Sequence, residues 1–134
     1  MIADFGLSVL CTDQKGIESI NTAEGTCGFV APEFLGVLGK QKVSDTFDFP
    51  MPLIEPNSDV FSVGIMFYVM LTGHSPWKGA ETLSDKNLIK KNKECKIDTS
   101  FANILLRKFP EDIRRILGLM LERDPKYRIS ADVA

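Results

Sequence analysis

Histidine is almost absent from this 134-residue chain, with His74 its only example. A zinc site of the usual His-rich kind cannot be built from one imidazole. His74 also falls in a turn after an apolar run, so a structural role is expected for it rather than a Ser-His-Asp arrangement. Cysteine is scarce as well: Cys11, Cys27 and Cys95 are odd in number and show no C-x-x-C spacing. That pattern fits reduced thiols better than a disulfide framework. Positive charge is not in excess, since 16 Lys and Arg face 18 Asp and Glu, for a formal net charge of −2. A protein that coats nucleic acid needs a basic face, so no nucleic-acid partner is expected. No apolar run is long enough to cross a bilayer. The longest, Val60 to Leu71, contains Ser62 and Gly64 and falls well short of the roughly 20 residues required. Asp4 interrupts any apolar leader at once. No membrane association and a cytoplasmic location are the expectation.

What is present is an ordinary globular composition, 44% hydrophobic and 25% charged, enough for one domain with its own core. No internal repeat or low-complexity tract occurs. Residues 1 to 33 show neither helical nor alternating periodicity and read as a long loop, of the kind usually tied to function. Residues 36 to 58 also read as loop, broken by Gly36, Gly39, Pro50, Pro52 and Pro56. A helix is predicted from Ser58, as N-cap, to Leu71, with Gly73 stopping it. Because Val60, Phe61, Val63, Ile65, Met66, Phe67, Tyr68, Val69, Met70 and Leu71 leave it no polar face, it should be surrounded by protein. A weaker helix is predicted over about Ser84 to Lys93. Its Lys86, Lys90, Lys91 and Lys93 read as a solvated face rather than a binding patch. Pro110 at the first helical position, followed by Glu111 and Asp112, opens a further helix. Its Ile113, Ile116, Leu117, Met120 and Leu121 form one buried face, and Asp124-Pro125 ends it. Ser130 reads as the cap of one more helix. The fold class expected is mainly α.

Four strings carry chemistry. They are Asp4-Phe5-Gly6, then Gly25-Thr26-Cys27-Gly28-Phe29-Val30-Ala31-Pro32-Glu33, then Ser58-Asp59-Val60-Phe61-Ser62-Val63-Gly64, and finally Asp124-Pro125-Lys126-Tyr127-Arg128. In this order they resemble the D-F-G motif, the A-P-E end of the activation loop, the central helix motif and the D-P-x-x-R string of the protein kinases. The resemblance covers essentially the whole chain. It implies a truncated helical C-terminal lobe with a long activation loop. Residues 1-33 would be the segment from D-F-G to A-P-E, 34-57 a loop with an insertion around Gly39 to Pro52, and 58-134 the helical lobe.

The resemblance also implies roles, residue by residue. Asp4 matches the aspartate that holds Mg²⁺ against the ATP phosphates, a hard ligand for a hard cation. Phe5, with Gly6 behind it, would pack beneath the small-lobe helix that separates active from inactive states. Thr26 matches the threonine beside the substrate hydroxyl, and its string favours the serine/threonine class. Glu33 and Arg128 match a buried ion pair that staples the loop to the helical lobe, a role suited to a planar guanidinium and a bidentate carboxylate. Asp59 corresponds to the aspartate that hydrogen-bonds the catalytic-loop backbone. Met66 and Met70 fall at the base of the adenine-linked hydrophobic stack. A plain N-terminal aspartate and core methionines would account for the same three residues without a nucleotide. Thr22 matches the activation-loop phosphorylation site, with Thr12 and Ser19 as alternatives.

The family's Gly-rich phosphate loop, strand lysine and H-R-D catalytic loop have no counterpart in the 134 residues. In the resembled fold they precede D-F-G. The expectation is therefore part of a serine/threonine protein kinase, using ATP and Mg²⁺ in the intact domain and inactive as this chain alone. Its partners would be a protein substrate and the N-terminal kinase half. A non-catalytic docking or decoy module on the same lobe is the alternative.

Overall fold

The computed structural model describes residues 28–36, 56–77, 87, 90–92 and 96–133. Asp4, Phe5, Gly6, Thr22 and Thr26 lie outside these residues, as do the three cysteines and the expected insertion. Among the described residues there is no strand, and the class is mainly α. A 3-10 turn, Pro32–Gly36, precedes two α-helices, α1 (Asn57–Thr72) and α2 (Glu111–Met120). Asn87 and residues 90–92 are also helical. No described helix is long and apolar enough to cross a membrane.

Helix α1 begins one residue before the predicted cap. Pro56 occupies the capping position without a side-chain bond, and the Asp59 N–H donates to the Pro56 carbonyl at 3.3 Å. Ser58 is not the cap. It lies buried in the first turn, its hydroxyl donating to the Glu33 carboxylate at 2.8 Å. Ser58 is the second residue of the helix, past the capping position, and the serine that looks like a helix signal gives its hydroxyl proton to a distant carboxylate. At the other end Gly73 adopts φ 72°, and its N–H closes on the Val69 carbonyl at 2.7 Å. That left-handed cap is one glycine accepts at little cost. His74 is exposed in the turn that follows, with Nδ1 2.8 Å from the Thr72 carbonyl oxygen.

The expectation that α1 is enclosed on all sides is not met. Val60, Phe61, Gly64, Ile65 and Tyr68 are buried, whereas Val63, Met66 and Met70 are 47%, 49% and 72% exposed. Asp59, Val63, Met66 and Met70 recur at helical spacing, so the exposed residues form one stripe turned from the core. Helix α2 starts after Pro110, whose ψ of 155° is extended, so the proline precedes the helix instead of opening it. Its acidic first turn complements the helix dipole. It stops at Met120, short of Asp124, with Leu121 as C-cap. After Ser130 only a turn forms, closed by the Val133 N–H on the Ser130 carbonyl.

The core joins Ala31, Phe61, Ile65, Tyr68, Trp77, Leu106, Leu117 and Leu121. Each large side chain so buried contributes about 1.5–3 kcal/mol. Helix α1 approaches α2 at Gly64, where an added Cβ would lie 3.0 Å from both Met120 Cβ and Leu121 Cδ2. Met120 Cβ is attached to the backbone and cannot rotate away. Gly64→Ala should gain about 1 kcal/mol of helix propensity but lose about 1–3 kcal/mol to overpacking. A lower thermal midpoint than wild type is the expected outcome of a melting experiment.

Candidate functional site

Glu33 and Arg128, 95 positions apart in the sequence, are brought together by two short turns. In the first, the Phe34 N–H closes on the buried Ala31 carbonyl at 3.0 Å and places Glu33 at the start of the 3-10 turn. In the second, Asp124 organises the backbone: its carbonyl accepts from Tyr127 and Arg128, and its Oδ1 accepts from the Lys126 N–H at 3.0 Å. Such a turn is what a short acceptor followed by proline favours. It carries the Arg128 side chain inward, where it is fully buried.

All five N–H donors of that guanidinium are used. Nη1 donates to Glu33 Oε1 at 2.7 Å and to the Asn57 carbonyl at 3.1 Å. Nη2 donates to Glu33 Oε2 at 3.0 Å and to the Arg123 carbonyl at 3.1 Å. Nε donates to the Glu122 carbonyl at 2.7 Å. The plane lies over the Phe61 ring, 5.0 Å from its centroid, a favourable cation–π placement. Burial pushes the Glu33 carboxyl up, but the Arg128 hydrogen bonds, a backbone hydrogen bond, the Arg128 charge and the Ser58 hydroxyl together hold it below the ordinary 4.5.

The backbone just before this pair is held from three directions. Trp77 Nε1 donates to the Gly28 carbonyl at 2.9 Å, Ser62 Oγ to the Phe29 carbonyl at 3.0 Å, and Asn92 Nδ2 to the Val30 carbonyl at 2.7 Å. Sequence reasoning missed Ser62, Trp77 and Asn92 as site residues, and it read Ser58 only as a cap. Ser58 and Ser62 lie in the central helix string and Trp77 is the sole tryptophan, whereas Asn92 carries no signal in the sequence. Asp59 is exposed in the first turn of α1, on the stripe that holds Met66 and Met70. The described residues include no group of three His, Cys, Asp or Glu side chains able to hold a metal. Chemically the described site is a fastening, with no proton-transfer group at its centre.

Removing one member of a buried, paired set strands the other. Arg128→Ala should therefore destabilise the protein by about 3–5 kcal/mol, read as a lowered midpoint in thermal or urea unfolding at neutral pH. The pH dependence has a defined sign. A carboxyl depressed in the folded state contributes stability above its unfolded value of 4.5 and loses it as pH falls through the folded value. Wild type should weaken below about pH 4.5, whereas Glu33→Gln should lack that component of the acid loss. Coincident melting curves for wild type and Arg128→Ala would refute the pairing.

A family model described as protein kinase domain matches residues 1–134. CBL-interacting protein kinase 10 of Oryza sativa subsp. japonica is 33% identical over 132 residues, covering 96% of this chain and 24% of its own length. CBL-interacting serine/threonine-protein kinase 15 of Arabidopsis thaliana is 30% identical over 132 residues, covering 98% of this chain and 26% of its own. This chain spans about a quarter of the length of these relatives. With a match that runs its whole length, the chain belongs to the protein kinase family.

Proposed function

We propose that this chain is the activation segment and helical lobe of a serine/threonine protein kinase, taking part in phosphoryl transfer from ATP to protein hydroxyls. The observation that carries the reading is the Glu33–Arg128 pair, which ties the end of the segment to the helical body. Residues 1-33 form the segment on this reading, 34-57 a loop with an insertion, and 58-134 the lobe. Asp4 would hold Mg²⁺ at the ATP phosphates, and Thr26 would support the substrate hydroxyl. Thr22 would be the regulatory phosphorylation site. Asp59 would bond the catalytic-loop backbone, and Met66 and Met70 would close the adenine-side stack from below. Names containing serine/threonine-protein kinase among the relatives support the substrate class.

Phosphoryl transfer relies on positioning and charge stabilisation by several groups at once. This chain supplies one Mg²⁺ ligand and neither the phosphate loop, the strand lysine nor the H-R-D loop. In a radiolabelled ATP assay with mixed Ser/Thr substrates, the 134-residue chain should transfer nothing. The product of its reading frame extended upstream should transfer phosphate and lose that activity on Asp4→Ala. Labelling by the short chain that vanishes in Asp4→Ala would overturn its inactivity. An extended product without transfer would favour a docking module instead.

The exposed stripe of Val63, Met66 and Met70 supports a partner surface that the N-terminal kinase half would cover. Apolar residues left contiguous on a surface drive association. The chain made alone should bind a dye for apolar surface and elute from size-exclusion chromatography ahead of a monomer. A monomer without dye binding would show that the stripe needs no cover.

A further inference from the structure

Three consecutive carbonyl oxygens, of Gly28, Phe29 and Val30, are each met by a side chain from a different stretch of chain. Ser62 comes from the middle of α1, Trp77 from the turn beyond it, and Asn92 from the helical residues 90–92. Side-chain donors at successive carbonyls supply an irregular segment with the partners that a ladder supplies to a strand. Trp77 is 3% exposed and Asn92 is wholly buried. Among the described residues the Asn92 Oδ1 has no partner. An apolar residue there would avoid the unmet acceptor, so the donor that the amide supplies to Val30 accounts for its presence. The same asparagine belongs to a closed circuit. Its carbonyl accepts from Arg123 Nη1 at 2.8 Å, the Arg123 carbonyl accepts from Arg128 Nη2, and Arg128 pairs with Glu33. Val30 and Glu33 are thus tied to one another through the helical lobe.

We propose that Ser62, Trp77 and Asn92 are positioning residues for protein substrate. They hold the backbone that follows Thr26 and Cys27 by its carbonyl oxygens and leave the Phe29 ring, 36% exposed, on the open side. The substrate role rests on the kinase reading above, while the pinning stands on the geometry alone.

Chymotrypsin cleavage after Phe29 tests the pinning, because the protease needs segment 28–30 to leave the lobe. Cleavage read by mass spectrometry should be about tenfold faster in Asn92→Leu and severalfold faster in Ser62→Ala, an effect on the scale of a lost hydrogen bond. It should return to the wild-type rate in Ser62→Thr, which keeps the hydroxyl. Emission from Trp77 should move to longer wavelength in the released variants, and helicity by circular dichroism should stay constant. If Asn92→Leu loses helicity, Ser62→Ala decides, since its side chain is only partly buried. The substrate role is read by fluorescence anisotropy with a labelled pool of degenerate serine-centred peptides, whose binding should weaken in the same order. Wild-type cleavage rates in folded Ser62→Ala and Asn92→Leu would overturn the proposal. Released segments with unchanged peptide affinity would overturn the positioning role and leave the kinase reading standing. Released segments with no peptide bound even by wild type would uphold the pinning and overturn the substrate reading beneath it.

Discussion

The arrangement of the described chain depends on one guanidinium. Arg128 is planar, and its five donors reach acceptors on Glu33, Asn57, Glu122 and Arg123. These acceptors belong to the segment after Ala31, the start of α1 and the stretch beyond α2. This relative placement of the three satisfies every donor, and a buried donor left unmet is costly. Phe61 beneath the plane links the polar set to the apolar core. Removing either partner would leave the other's buried charge unpaired, so this arrangement is costly to leave.

Segment and lobe follow from that constraint. Once Glu33 is placed, the residues just before it lie within reach of α1 and the helical residues 90–92, and their carbonyls find Ser62, Trp77 and Asn92. Helix α1 is shared between two tasks. One side packs on α2 through the gap left by Gly64. The other presents Asp59, Val63, Met66 and Met70 outward. The two sides of α1 thus meet different surroundings.

Much of this was legible beforehand. Helices α1 and α2 follow from an apolar run stopped by Gly73 and from the spacing of Ile113, Ile116, Leu117 and Met120, both local properties. The proximity of Glu33 to Arg128 was reached through resemblance, because nothing in local periodicity links residues 95 positions apart. Ser58 shows how a local rule is overridden: serine before an apolar run reads as a cap, yet the helix starts one residue earlier and turns its hydroxyl toward the Glu33 carboxylate. Pro110 was displaced by one residue because proline suits both the capping and the first helical position.

Composition class, the positions of the two long helices and the motifs of the family are local properties, readable from neighbours within a few residues. Which side of α1 is covered and which polar groups meet follow from the packed fold alone. Ser62, Trp77 and Asn92 find their carbonyls across separations of 33, 49 and 62 residues. A hydrogen bond between such distant groups is set by how the helices pack, and packing is a property of the whole chain that no short window of residues contains.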